Sequence, residues 1–173
     1  MTDEPSKGPT AATAAEKAGV ARRQARLAAV QALYQMDLAA TDLNAVVHEF
    51  MAERFGTEAE DQTVAQADPD LFEAIVRGVV THQREIDPPL DAQLAAGWRL
   101  HRIDSIVRAI LRSAMYELTQ RPDIPARVVI HEYVDVAKAF FELDEPKVVN
   151  AVLDKLAKKT RAKEFGRGKS ASE

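Results

Sequence analysis

Three features of the sequence predict an all-α fold. Apolar residues recur at three- and four-residue spacing through most of the chain, Asp and Pro stand where those stretches begin, and no segment keeps the strict alternation of a half-buried strand. "RVVI" at residues 127–130 is the best strand candidate, but the residues after it keep helical spacing. The expected architecture is about seven helices in two small bundles packed together.

Residues 1–19 contain no large apolar residue after Met1, so they are expected to form a disordered arm. Structure should start near Val20, where Leu27, Val30, Leu33, Tyr34 and Leu38 form the first stripe. A second helix, capped by Thr41 or Asp42, carries Val46, Val47, Phe50 and Met51 and stops at Gly56. The acidic stretch "TEAEDQTVAQADPD" reads as a loop, and Asp68 or Asp70 starts a helix through Leu71, Phe72, Ile75, Val76 and Val79. Pro88 and Pro89 break the pattern, because proline lacks an amide and suits a helix start. They place a boundary between an N-terminal subdomain, 20–86, and a C-terminal one, 87–161, that opens with a short helix from Pro88 to Ala96. Asp104 caps the strongest helix, whose stripe is Ile106, Val107, Ile110, Leu111, Ala114, Met115 and Leu118. Pro125 precedes a helix with Val128, Val129, Val136, Ala137 and Phe140, and "LDEPK" starts another with Val149, Val152, Leu153 and Leu156. Residues 162–173 read as a flexible basic tail.

The chain of 173 residues has no cysteine, which excludes disulfides, thiolate metal sites and a cysteine nucleophile. No secretory leader or bilayer-spanning run is visible, so a cytoplasmic location is expected. Seven glycines form neither GxGxxG nor GxxxxGK[ST], which argues against a nucleotide pocket. "HEYVD" at 131–135 falls one residue short of HExxH, with Asp135 where the second histidine would stand; His48, His82 and His101 are scattered. Glu58, Glu60 and Asp61 sit in a polar loop that offers no pocket to shift a pKa. Neither an enzyme nor a bound metal or cofactor is expected.

The net charge of −4 conceals segregation. Residues 41–90 hold eleven Asp or Glu against three Lys or Arg, while 155–169 hold seven Lys or Arg against Glu164. Lys155, Lys158, Lys159, Arg161 and Lys163 suit the cationic end of a helix. More unusual are Arg22, Arg23 and Arg26, three guanidinium groups within five residues near the expected start of the first helix. Like charges at three- and four-residue spacing repel, and cations there oppose the helix dipole, so the cluster calls for an anion. Either an RNA phosphate or an acid of the 41–90 region supplies it, or the three groups are simply solvated. Gln24 is placed to read a base edge, and Tyr34 either stacks on a base or joins the core. Arg108 and Arg112 share a helix face and have Glu117 and acids of neighbouring helices as available partners.

"ARRQARLAAVQALYQMDL" resembles the arginine-rich first helix of the NusB family of transcription antitermination factors. "GWRLHRIDSIVRAILRSAMYELTQRPDIPARVVIHEYVDVAKAF" and "EPKVVNAVLDKLAK" resemble that family's C-terminal half, in order, so the likeness spans about residues 20–160. It implies the family's fold of two small helical bundles. It also implies an RNA-binding adaptor that pairs with NusE, a small-subunit ribosomal protein, binds boxA RNA of nascent ribosomal RNA transcripts, and joins the RNA polymerase antitermination complex. Arg22, Arg23 and Arg26 then carry the RNA-contact role, with Gln24 where an arginine is common. Arg127 stands where a lysine often lies beside the RNA, and Asp123 adjoins the strand as an acid that tunes affinity. The acidic middle region becomes the expected face for a basic ribosomal protein. Leu71 stands where some members have an RNA-facing tyrosine, and Val148 and Ala151 stand where Phe and Gly are usual, which reads as altered core packing. The methyl-donor domain of NusB-like RNA methyltransferases is not expected here. The competing reading is a non-enzymatic protein-interaction bundle without specific RNA binding, and a homodimer that covers the arginines in the free state stays open. Three phosphate clamps predict a slope of log K against log salt of about −2 on single-stranded RNA.

Overall fold

A computed structural model describes residues 11–55 and 67–166. Within them the chain forms seven α-helices: α1 Ala11–Ala39, α2 Leu43–Glu49, α3 Pro69–Gln93, α4 Ser105–Gln120, α5 Ala126–Phe140, α6 Glu145–Thr160 and α7 Ala162–Phe165. A π-helical turn, Phe50–Arg54, extends α2, a 3-10 turn, Leu100–Arg102, precedes α4, and no strand occurs among the described residues. None of the helices is long and apolar enough to cross a membrane.

Three expected caps hold. Asp42 accepts from the amides of Asn44 and Ala45, Asp68 from Asp70 and Leu71, and Asp104 from Ile106 and Val107. Each carboxylate satisfies amides that have no partner within the helix. Phe72 stacks on Phe50 at 5.3 Å and meets Phe55 edge-on at 4.8 Å, which seats the π-helical turn on α3.

Helix α4 is the hub. It packs on α1 and α3 on one side and on α5 and α6 on the other, so the two bundles meet along it and share one continuous core. Gly78 makes the closest approach possible: a Cβ there would lie 2.1 Å from the Tyr116 ring of α4.

The chain departs from the expected element boundaries at three places. Helix α1 begins at Ala11 rather than near Val20, so half of the expected disordered arm is helical; alanine-rich composition favours helix even without apolar bulk. Helix α3 runs through Pro88 and Pro89, so there is no chain break at 86/87 and no separate helix from Pro88 to Ala96. The carbonyls that lose their amide partners belong to Arg84 and Glu85, two exposed residues whose carbonyls water can satisfy. Residues 162–165, expected in the flexible tail, form α7. Ala151 is exposed, so only Val148, partly buried, bears on core packing. The acidic loop with Glu58, Glu60 and Asp61, the Gly56 stop and residues 167–173 lie outside the described residues.

Candidate nucleic-acid interface

The arginine cluster sits midway along α1, where that helix crosses α4 and α5. Its three members have three different fates.

Arg22 is exposed and makes no ion pair among the described residues. Arg23 is half exposed, its side chain 50% accessible, and its Nε and Nη2 donate to the two oxygens of Glu132 on α5 at 3.1 and 3.3 Å. The hydrogen bond from Arg23 to Glu132, and then the Glu132 charge, raise the Arg23 pKa above its ordinary value.

Arg26 points inward and is 2% exposed. Its Nε and Nη2 donate to Glu117 of α4 at 2.9 and 2.8 Å, and the Tyr133 hydroxyl of α5 donates to the same carboxylate. Nη1 lies 3.9 Å from Glu132. Burial opposes the Arg26 charge most strongly, but hydrogen bonds and charge from Glu117 outweigh it and hold the pKa above the usual arginine value. Burial first, and then the Glu117 charge, push the Tyr133 hydroxyl well above its ordinary value. The expectation that Arg26 clamps a phosphate from an open surface is therefore corrected: its guanidinium is 2% exposed between α1, α4 and α5, with Nε and Nη2 engaged by Glu117 and Nη1 facing Glu132 at 3.9 Å. Nor do its partners come from the acidic 41–90 region. They come from α4 and α5.

Gln24 is partly buried beside this cluster. Tyr34 lies eleven residues beyond Arg23, roughly 16 Å along α1 and within about 20° of the same helix face. It is half-buried and lines an apolar cleft with Val30, Leu38, Phe50, Ile106 and Phe140, so its ring belongs to packing on one side and to the surface on the other.

The two C-terminal candidates lie elsewhere. Asp123 is exposed and paired with Arg121 at 3.1 and 3.2 Å, and that hydrogen bond holds its pKa below the ordinary value. Arg127 stacks over the Phe165 ring of α7 at 5.4 Å and lines a cleft with Asn150, Asp154 and Lys158 of α6. Five residues separate it from Glu132, so it points roughly 140° round α5 from the residue that meets Arg23. Leu71 is buried and offers no stacking surface.

The "HEYVD" string divides between two faces. His131 Nε2 lies 3.4 Å from Asp135 on the outside of α5, while Glu132 turns to α1 and Tyr133 to the core. No group of three or more His, Cys, Asp or Glu able to hold a metal ion occurs among the described residues. Arg108 and Arg112 pair across helices, the first with Asp37 at 3.0 Å and the second with both oxygens of Asp87 at 2.9 Å.

Sequence reasoning missed the roles of Glu117, Glu132, Tyr133 and Arg161. Arg161, expected as one cation of a basic tail, donates to the carbonyls of Leu118, Arg121, Ile124 and Glu117 at 2.7 to 3.2 Å, closing the C-terminus of α4 and the loop after it. For Arg26 a signal was present. It repeats with Val30 and Leu33, as Glu117 does with Ile110 and Ala114, and a charge inside an apolar stripe needs a buried partner.

A family model described as the NusB family matches residues 23–158. A transcription antitermination protein NusB of Maricaulis maris is 53% identical over 144 residues, which cover 83% of this chain and 90% of that one. Its counterpart in Bartonella tribocorum is 54% identical over 140 residues, covering 81% and 90%. Among solved structures, NusB of T. maritima superposes with a TM-score of 0.68 at 30% identity, covering 83% of this chain and 96% of that one. A chain in the crystal structure of a plectonemic RNA supercoil shares the fold, with a TM-score of 0.65 at 23% identity. With the match running through α1 and on to α6, the chain belongs to the NusB family.

Proposed function

We propose that this protein is a transcription antitermination factor that binds boxA RNA of nascent ribosomal RNA transcripts together with a NusE-type ribosomal protein. It would act in the cytoplasm within the RNA polymerase antitermination complex, by binding and not by catalysis. The observation that carries the reading is the edge of α1, where Arg22 is exposed and unpaired among the described residues and Arg23 is half exposed, in a chain whose close relatives are antitermination proteins.

In this reading Arg22 and Arg23 contact phosphates, Gln24 reads a base edge and Tyr34 offers a ring further along the same face. Arg26 serves from inside: its bond to Glu117 fixes α1 against α4 and so sets where Arg22 and Arg23 emerge. Arg127 and Asp123 would meet a second part of the strand, since α5 turns Arg127 away from α1. Two clamps at the α1 edge in place of three contribute at most about −1.4 to the salt slope on single-stranded RNA.

The test is fluorescence anisotropy of labelled boxA RNA and a scrambled control, each titrated with the protein alone and with purified NusE. Preference for boxA that NusE strengthens supports the adaptor. Equal, weak binding of both RNAs under every condition supports the protein-interaction bundle instead.

A further inference from the structure

The arginine edge carries its own counter-anion. Glu132 occupies the Nε–Nη2 edge of Arg23 through two hydrogen bonds, and it is only 12% exposed, so packing on α5 fixes its position and leaves it little freedom to withdraw. Glu117 already neutralises Arg26 at 2.8 Å, and Arg26 approaches Glu132 no closer than 3.9 Å. The charge that Glu132 balances is therefore chiefly that of Arg23. Asp135, one turn further along α5, adds a weaker field at Arg23 while pairing with His131 and Lys138.

We propose that Glu132 attenuates the RNA affinity of this protein by competing with phosphate for Arg23. The inference rests on the RNA-binding reading above and deepens it. An RNA phosphate that takes Arg23 must displace a preorganised carboxylate or bind beside it against its charge, and either route weakens every complex by the same amount. An RNA that also makes base contacts tolerates this loss. One held by its backbone alone falls below appreciable occupancy first, so the carboxylate sets an affinity threshold while leaving the affinity ratio between sequences unchanged. Glu132 is in this sense a positioning residue, acting through Arg23.

Glu132→Gln keeps the shape and one hydrogen-bond acceptor while removing the charge. With labelled boxA and scrambled RNA, the variant is expected to bind both about two- to fivefold more tightly, the scale of a partly exposed ion pair. Its salt dependence should steepen, because Arg23 then engages phosphate fully. Asp135→Asn should have a smaller effect. In the Arg23→Ala background, Glu132→Gln should change affinity little, a result that a general rise in positive charge would not give. A thermal melt of each variant checks that the fold is intact.

Unchanged or weaker binding by a folded Glu132→Gln protein overturns the proposal while leaving RNA binding itself standing. So does equal tightening with and without Arg23. If neither wild-type protein nor variant binds RNA at all, both this proposal and the RNA-binding reading fall.

Discussion

Replacing Arg26 with alanine removes both donors that meet Glu117 at 2.9 and 2.8 Å and leaves that carboxylate fully buried, with the Tyr133 hydroxyl as its remaining close donor. Breaking one side of a buried, hydrogen-bonded ion pair costs about 3–5 kcal/mol, because the other charge stays desolvated. In a chain of this size each kcal/mol moves Tm by about 2–4 °C, so Arg26→Ala should lower it by roughly 6–20 °C. Circular dichroism melts measure this directly. The triple replacement Arg26→Met, Glu117→Met, Tyr133→Phe removes every polar member of the buried set and should lose less than Arg26→Ala alone. Below its melting temperature, Arg26→Ala should keep the wild-type salt slope for RNA binding, since the buried guanidinium contacts no phosphate. A variant that melts within about 2 °C of wild type and whose salt slope falls by about 0.7 would refute the reasoning and return Arg26 to the surface as a clamp.

Arg161→Ala should cost about 2–4 kcal/mol, because four carbonyls at the end of α4 and in the following loop lose a charged donor; urea unfolding midpoints measure it. The Glu164 carboxylate is held below its ordinary value of 4.5 first by the Ala126 amide and then by Arg161. A depressed folded pKa means that its stabilisation is complete above about pH 4.5 and is lost as pH falls through the lower folded value, so Glu164→Gln should flatten the acid limb of stability measured between neutral and acidic pH. Arg22→Ala should leave Tm within about 1 °C of wild type and reduce the magnitude of the salt slope by about 0.7, read from anisotropy at several salt concentrations. Gly78→Ala should destabilise by about 1–3 kcal/mol, since its Cβ must displace the packed Tyr116 ring, and Tyr116→Ala in the same chain should relieve that clash, as melts of the two variants would show.

Local signals carried much of the fold. Asp42, Asp68 and Asp104 cap where the sequence places them, because a cap is a contact between residues two or three apart, and the α4 stripe is buried as its periodicity requires. The double proline misled for the same reason. Its effect depends on whether Arg84 and Glu85 face water, and that is a property of how α3 packs rather than of the dipeptide. At the candidate site, the sequence exposed the charge problem at residues 22–26 but not its solution. Glu117 and Glu132 lie 91 and 109 residues from the arginines they meet, and no local pattern pairs them. Separations of 37 to 44 residues likewise hid Arg161, whose carbonyl partners sit on α4 and in the loop after it. Placing Arg26 in the stripe of Val30 and Leu33 would have shown that one arginine of the three was internal, and that the edge available to RNA is narrower than the motif suggests.

The most direct measurement is the affinity of boxA RNA across a salt series for wild-type protein and for the Arg22→Ala, Arg23→Ala double variant. The double variant is expected to lose up to about 1.4 from the magnitude of the wild-type slope, together with most boxA affinity at low salt. A double variant that keeps the wild-type slope and affinity would show that the RNA is held elsewhere and that the edge of α1 is not the binding surface.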